Sequence, residues 1–189
     1  MSCIAEESAV RAIDKLSSKH ESLPAIGENT DPMNAEDYRS FLQEVLQAEV
    51  ESNSDPTVVY PLLARHQDKL DLTFAEVATQ WFNSQLDKNQ SERNQALTSI
   101  FYLAVDLYQF PLGNRANNLE IAIACYREAL HVYTRDAFPQ QWAMTQSNLG
   151  AAYRNRIRGE RGENLEEAIA CYREALQVRT RDAFPQDWA

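Results

Sequence analysis

The residues best able to do chemistry in this 189-residue chain are its three cysteines and three histidines. Cys125 and Cys171 could each supply a thiolate nucleophile if a base and an orienting group stood beside it. The spacing argues against that. His131 follows Cys125 by six positions, and six helical residues advance about 600°, which puts the two side chains on different faces. There is no CxxC pair, and neither His20 nor His66 has a partner at ligand spacing. A glycine-rich phosphate loop, a paired carboxylate cleft and zinc spacing are all missing from the string. The expectation is a noncatalytic chain with no cofactor and no metal. Both cysteines fall in copies of the string AIACYREAL, so duplication accounts for them as structural positions.

A second chemically suggestive group is Arg154, Arg156, Arg158 and Arg161. Guanidinium forks suit carboxylates, so the cluster could contact an acidic partner. The plainer reading, which is favoured, is a solvated loop balanced by Glu160, Glu163, Glu166 and Glu167.

The elements that must position these residues are set by repetition. Residues 118–143 and 164–189 are nearly the same string, 46 residues apart, with 22 of 26 positions identical. A tandem copy at fixed period predicts a stack of equal units. Two helices are expected in each unit, at about 91–110 and 118–135, then 139–157 and 164–181. No segment alternates with period two over the length of a strand. The expected fold is all-α, with residues 91–189 forming two repeats at about 97–142 and 143–188.

Upstream, residues 1–32 read as a flexible or weakly helical leader, with HESLPAIGENTDP as a linker. Residues 33–90 read as a helical unit of their own. Asn34 can cap its first helix, along which Tyr38, Phe41, Leu42, Val45 and Leu46 recur at helical spacing. Asp55-Pro56 opens a second helix, with cap and proline in the favoured order, and Pro61 should bend or restart it. Phe74, Val77, Ala78, Trp81, Phe82 and Leu86 mark a third.

Net charge is −10, of which residues 1–90 carry −9. Such a balance disfavours nucleic-acid phosphates and anionic membrane surfaces alike. The N-terminus lacks the pattern of a signal peptide, and no apolar run approaches the roughly 18 residues of a membrane span. The expected setting is cytoplasmic, and the expected partner is a protein or peptide.

The second unit resembles the tetratricopeptide repeat (TPR). Leu149-Gly150-x-x-Tyr153 matches its first-helix signature, and Ala168-x3-Tyr172-x2-Ala175 matches its second. The small residues Gly150 and Ala168 let two antiparallel helices approach closely. The first unit keeps Ala122, Tyr126 and Ala129 but has Ala104 for the glycine and Leu107 for the tyrosine. The 46-residue period and the Phe-Pro-Gln-x-Trp connections are similar to kinesin-light-chain-like repeats, and to bacterial arrays that often precede a caspase-like CHAT domain. The resemblance implies a right-handed solenoid of helix hairpins with an N-terminal helical cap, serving as an interaction scaffold or as the sensing part of a larger protease.

In such repeats a partner lies along the concave face. Carried over by position, that face comprises Phe101, Tyr102 and Tyr108 from the first unit, with Met144, Ser147, Asn148, Ala151, Arg154 and Asn155 from the second. Asn148 falls where chaperone-binding members place a peptide-contacting asparagine. Their carboxylate clamp is not reproduced, because its lysine falls at Phe101 and the clamp's second position at Val105. A face of aromatics plus Arg154 suits a segment with apolar anchors and an acidic group. The alternative is that the aromatics pack against the leader helices. Repeat logic also expects helix 164–181 to expose the apolar face that its twin buries, leaving it open to self-association or to further chain.

Overall fold

The computed structural model describes residues 35–180, which form seven α-helices and no strand. They are α1 (Ala35–Ser52), α2 (Pro56–Arg65), α3 (Leu72–Gln85), α4 (Gln90–Gln109), α5 (Arg115–Val132), α6 (Pro139–Asn155) and α7 (Arg161–Leu176), with a short 3₁₀ turn at Gln67–Lys69. The chain is all-α over this range. The leader at 1–32, the Asn34 cap, Cys3 and the second Phe-Pro-Gln-x-Trp connection lie outside the described residues.

Helix starts follow side-chain caps. Asp55 accepts from the Thr57 amide at 2.9 Å beside Pro56, and Asp71 accepts from the Phe74 amide at 3.0 Å. Asn89 accepts from the Glu92 amide at 3.0 Å, satisfying one otherwise orphaned helix donor, and its side-chain amide donates to the Glu92 carboxylate at 2.7 Å. Asn114 accepts from the amides of Ala116 and Asn117, so α5 starts three residues before the expected position 118. Pro61 lies inside α2 without dividing it. Proline's missing donor leaves the Thr57 carbonyl without its usual partner, and the helix continues past it. At the other end α7 spans Arg161–Leu176 rather than 164–181.

Apolar stripes at helical spacing build the main core. Phe41 packs on Phe74 with ring centroids 5.1 Å apart, joining α1 to α3, and Tyr60 meets Phe110 edge-on at 5.4 Å, joining α2 to the end of α4. A single cluster of buried side chains runs from Tyr38 to Cys171. Helix α3 packs against α5, and α1 against both α3 and α4. The boundary expected at residue 90 is therefore a turn within a continuous core.

The last four helices form two hairpins. Trp142 and Ala143 at the start of α6 cluster with Ala175 near the end of α7, while Arg156 just past α6 reaches Asn164 near the start of α7, so the two run antiparallel. At the crossing, a Cβ on Gly150 would stand 3.0 Å from the Tyr172 ring and 3.2 Å from the Ala168 carbonyl oxygen. The glycine permits this contact, as the spacing of small residues predicts.

The connecting loops repeat where the sequence does not. Phe110–Arg115 reads FPLGNR and Arg156–Arg161 reads RIRGER. Yet Gly113 and Gly159 share a φ of +76°, a left-handed conformation suited to glycine. Asn118 donates to the Leu112 carbonyl at 2.9 Å, and Asn164 donates to the Arg158 carbonyl at 2.8 Å. Arg115 donates to the Tyr108 carbonyl as Arg161 does to that of Arg154. Every pair is offset by the same 46 residues. Both asparagines are buried, so each saturates a loop carbonyl that would otherwise be costly to bury.

Candidate interaction face

The nine residues expected on a shared face separate by burial. Phe101 is only 5% exposed and packs edge-on against Tyr102, Tyr126 and Tyr133, with centroids 5.5, 5.9 and 6.3 Å away. Phe101 is therefore a core residue, unavailable to a partner. Tyr102 and Met144 are exposed, at 41% and 37%, and so are Arg154 and Asn155. Tyr108, Ser147, Asn148 and Ala151 are half-buried. Asn148 lies near enough to the Tyr126 hydroxyl to act against the upward shift that burial gives it, within the packing of α6 on α5. Asn155 donates to the Tyr108 hydroxyl at 2.8 Å, binding the ends of α4 and α6 into one surface. Arg115 lies over the Tyr108 ring at 5.3 Å.

The arginine cluster is mostly consumed within the chain. Arg156 makes a two-pronged bond with Glu120, both arms 2.8 Å, and contacts Asn164 at 3.3 Å. Arg158 donates to Asn117 at 2.6 Å, and Asn117 donates onward to the Leu70 carbonyl at 3.0 Å. The partner of Arg156 is thus Glu120 on the preceding hairpin, rather than the nearby glutamates that charge balance suggested. Paired forks of this kind fix orientation as well as charge. Arg154 remains exposed, its charge reaching the Tyr172 hydroxyl.

Neither described cysteine is arranged as a nucleophile. Cys125 is fully buried, and burial followed by the Glu128 charge pushes its thiol well above the ordinary range. Burial and then Glu167 push the Cys171 thiol to about 11. A thiol held protonated is a poor nucleophile, and the exposed His131 offers Cys125 no base.

Sequence reasoning missed an acid pair. Glu49 of α1 and Asp106 of α4 are 2% and 3% exposed. Both Glu49 oxygens and Asp106 Oδ2 make no hydrogen bond, although the Ser54 hydroxyl lies near Glu49. Burial, then the charge and hydrogen bond of Glu49, raise Asp106 to about 9, and burial also raises Glu49. Two buried carboxyls in this situation satisfy each other through a proton held between them. A signal was present in the sequence. Glu49 continues the stripe Phe41, Leu42, Val45, Leu46, and Asp106 sits between Leu103 and Leu107.

Two cavities adjoin along α1 and α4, sharing Val50, Gln95 and Ser99 in their walls. The larger, of about 530 Å³, extends to Trp81 and Gln85 of α3. The smaller, of about 320 Å³, is bounded by Glu49 and by Thr98 and Tyr102. Its rim includes Asn53 and Ser54, consecutive non-glycine residues at φ of 56° and 57°. The groove therefore opens onto the exposed Tyr102 surface.

No family model matches the chain, and neither does any curated protein or solved structure. Among the described residues, no helix is long and apolar enough to cross a membrane, and no cluster of three or more potential metal ligands occurs.

Proposed function

We propose that this chain is a noncatalytic, TPR-like interaction module in the cytoplasm, its hairpins stacked as a short solenoid on an N-terminal helical cap. It holds a peptide segment or partner protein on the surface shared by α4 and α6. The observation that carries this reading is the exposure of Tyr102 on α4 and of Met144 and Arg154 on α6, two helices tied at their ends by the Asn155–Tyr108 bond. Exposed aromatic and flexible apolar side chains on a rigid two-helix platform suit capture of a short apolar segment. The repeated loop geometry further supports a stack of equivalent units.

Selection of a displayed random dodecapeptide library on the immobilised chain should enrich a consensus. A Tyr102→Ala, Met144→Ala double variant should weaken that peptide about tenfold or more, while Tm stays within about 3 °C. No enriched consensus, or one indifferent to both substitutions, would count against the reading.

A second reading, self-association with another copy of this chain, is favoured by α7. Leu165, Ile169 and Leu176 are 36%, 39% and 49% exposed, whereas Leu119 and Ile123, the α5 equivalents of the first two, are 1% and 4% exposed. Helix α6 packs on α5 in the preceding layer, so a second copy would cover α7 as α6 covers α5. Sedimentation at about 100 μM should show a concentration-dependent larger species that Leu165→Ser with Ile169→Ser removes. A strictly monomeric parent chain sinks this second reading.

A further inference from the structure

We propose that the groove between α1 and α4 binds an extended peptide segment carrying an arginine or lysine, whose cationic head reaches the buried Glu49–Asp106 pair. The proposal rests on the reading of the chain as an interaction module and adds the charge class of its partner.

The groove's charges have one sign. Glu49 lines the smaller cavity and Glu92 the larger, and no lysine or arginine lines either. Asp55, at the cap of α2, adds negative potential at Asp106. Its neutral walls are rich in side-chain amides, with Gln43, Gln47 and Gln95 in the larger cavity and Asn53, Asn94 and Gln95 in the smaller. A primary amide both donates and accepts, which matches the alternating N–H and C=O groups of an extended backbone. Val50, Trp81 and Tyr102 supply apolar wall for the methylene stem of a long cationic side chain.

The independent pointer to a ligand is Glu49 itself. It forms part of the cavity wall, is more than nine-tenths buried, and neither carboxylate oxygen makes a hydrogen bond, although the Ser54 hydroxyl in the same wall is near enough to favour its charged form. The pair now needs a proton to be satisfied. A guanidinium or ammonium group is the other species that can fill this need, bringing several donors and a full positive charge. Entry of the cation releases the shared proton to solvent and leaves two carboxylates around one positive group. The bound state then carries fewer protons, so affinity rises with pH between about 6 and about 8.

The test is calorimetric titration of the full chain with acetylated, amidated heptapeptides of alanine centred on arginine or on glutamine. The arginine peptide should bind about tenfold more tightly or better. It should bind more tightly at about pH 8 than at about pH 6.5, with proton release revealed by buffers of different ionisation enthalpy. Glu49→Gln and Asp106→Asn should each erase the preference while circular dichroism remains helical. Equal affinity for both peptides, saturable binding of neither, or a preference surviving in Glu49→Gln overturns the proposal. So does N-acetyl-arginine amide binding as tightly as the heptapeptide, because the groove would then contribute nothing. The library-selected dodecapeptide separates the two levels. If it still binds through Tyr102 and Met144 while the arginine preference is absent, only the groove proposal fails; if it too fails to bind, the module reading fails with it.

Discussion

Replacing Asp106 with asparagine should make the protein more stable, by about 2 kcal/mol near pH 7 and a Tm rise of about 5 °C. Substitutions in a packed core usually destabilise, so the sign is diagnostic. Asp106 is 3% exposed beside an equally buried Glu49, and its carboxyl titrates at about 9 rather than 3.8. A carboxyl raised in the folded state contributes its full stability below its unfolded value and loses it progressively as pH climbs through the folded value. The cost therefore grows between about pH 4 and about pH 9. Asparagine keeps the shape, supplies its own donor to Glu49, and removes the dependence. The difference in Tm between variant and parent should widen steadily over that range. A variant that melts lower than the parent, or a gap unchanged by pH, would show that the two carboxyls are not held as described.

Phe101→Ala should have the opposite sign and a larger size. The ring is 5% exposed and meets three tyrosine rings from α4, α5 and the turn after α5. Truncating a buried phenylalanine costs about 3–5 kcal/mol through lost burial and the cavity left behind. The expected Tm fall is on the order of 10 °C. Its neighbour Tyr102, 41% exposed, should cost far less stability and act on binding instead. A Phe101→Ala chain that melted like the parent but lost peptide capture would return Phe101 to the exposed face.

These adjacent residues illustrate what the sequence made legible. The stripe Leu97, Ile100, Phe101, Ala104 follows helical periodicity, and that local rule places Phe101 inside correctly. Positional analogy with peptide-binding repeats pulled it outside. Similarly, the small residues at Gly150 and Ala168 announced a close crossing, and Asp55-Pro56 announced a helix start, because both depend on neighbours in the sequence or on steric size alone. Arg156 was harder. Its carboxylate partner lies 36 residues away on another hairpin, and charge counting near the loop favours closer glutamates. The Glu49–Asp106 pair joins helices from opposite sides of the expected boundary at residue 90. Each acid was visible as an interruption of an apolar stripe, but their meeting depends on how α1 packs on α4.

The duplicated loops carry a consequence for how the chain could be rearranged. Their fastening uses asparagine, arginine and backbone carbonyls, and is indifferent to the residues between. The residue that opens each loop faces the preceding layer, and there the two copies diverge. Phe110 is fully buried against Tyr60, whereas Arg156 grips Glu120. Exchanging the hairpins would press the Arg156 guanidinium toward the apolar seat at Tyr60, part it from Glu120, and set Phe110 against Glu166, the counterpart of Glu120 in the other hairpin. The hairpins share a fastening but not an address, so their order along the chain is written into the joints between them.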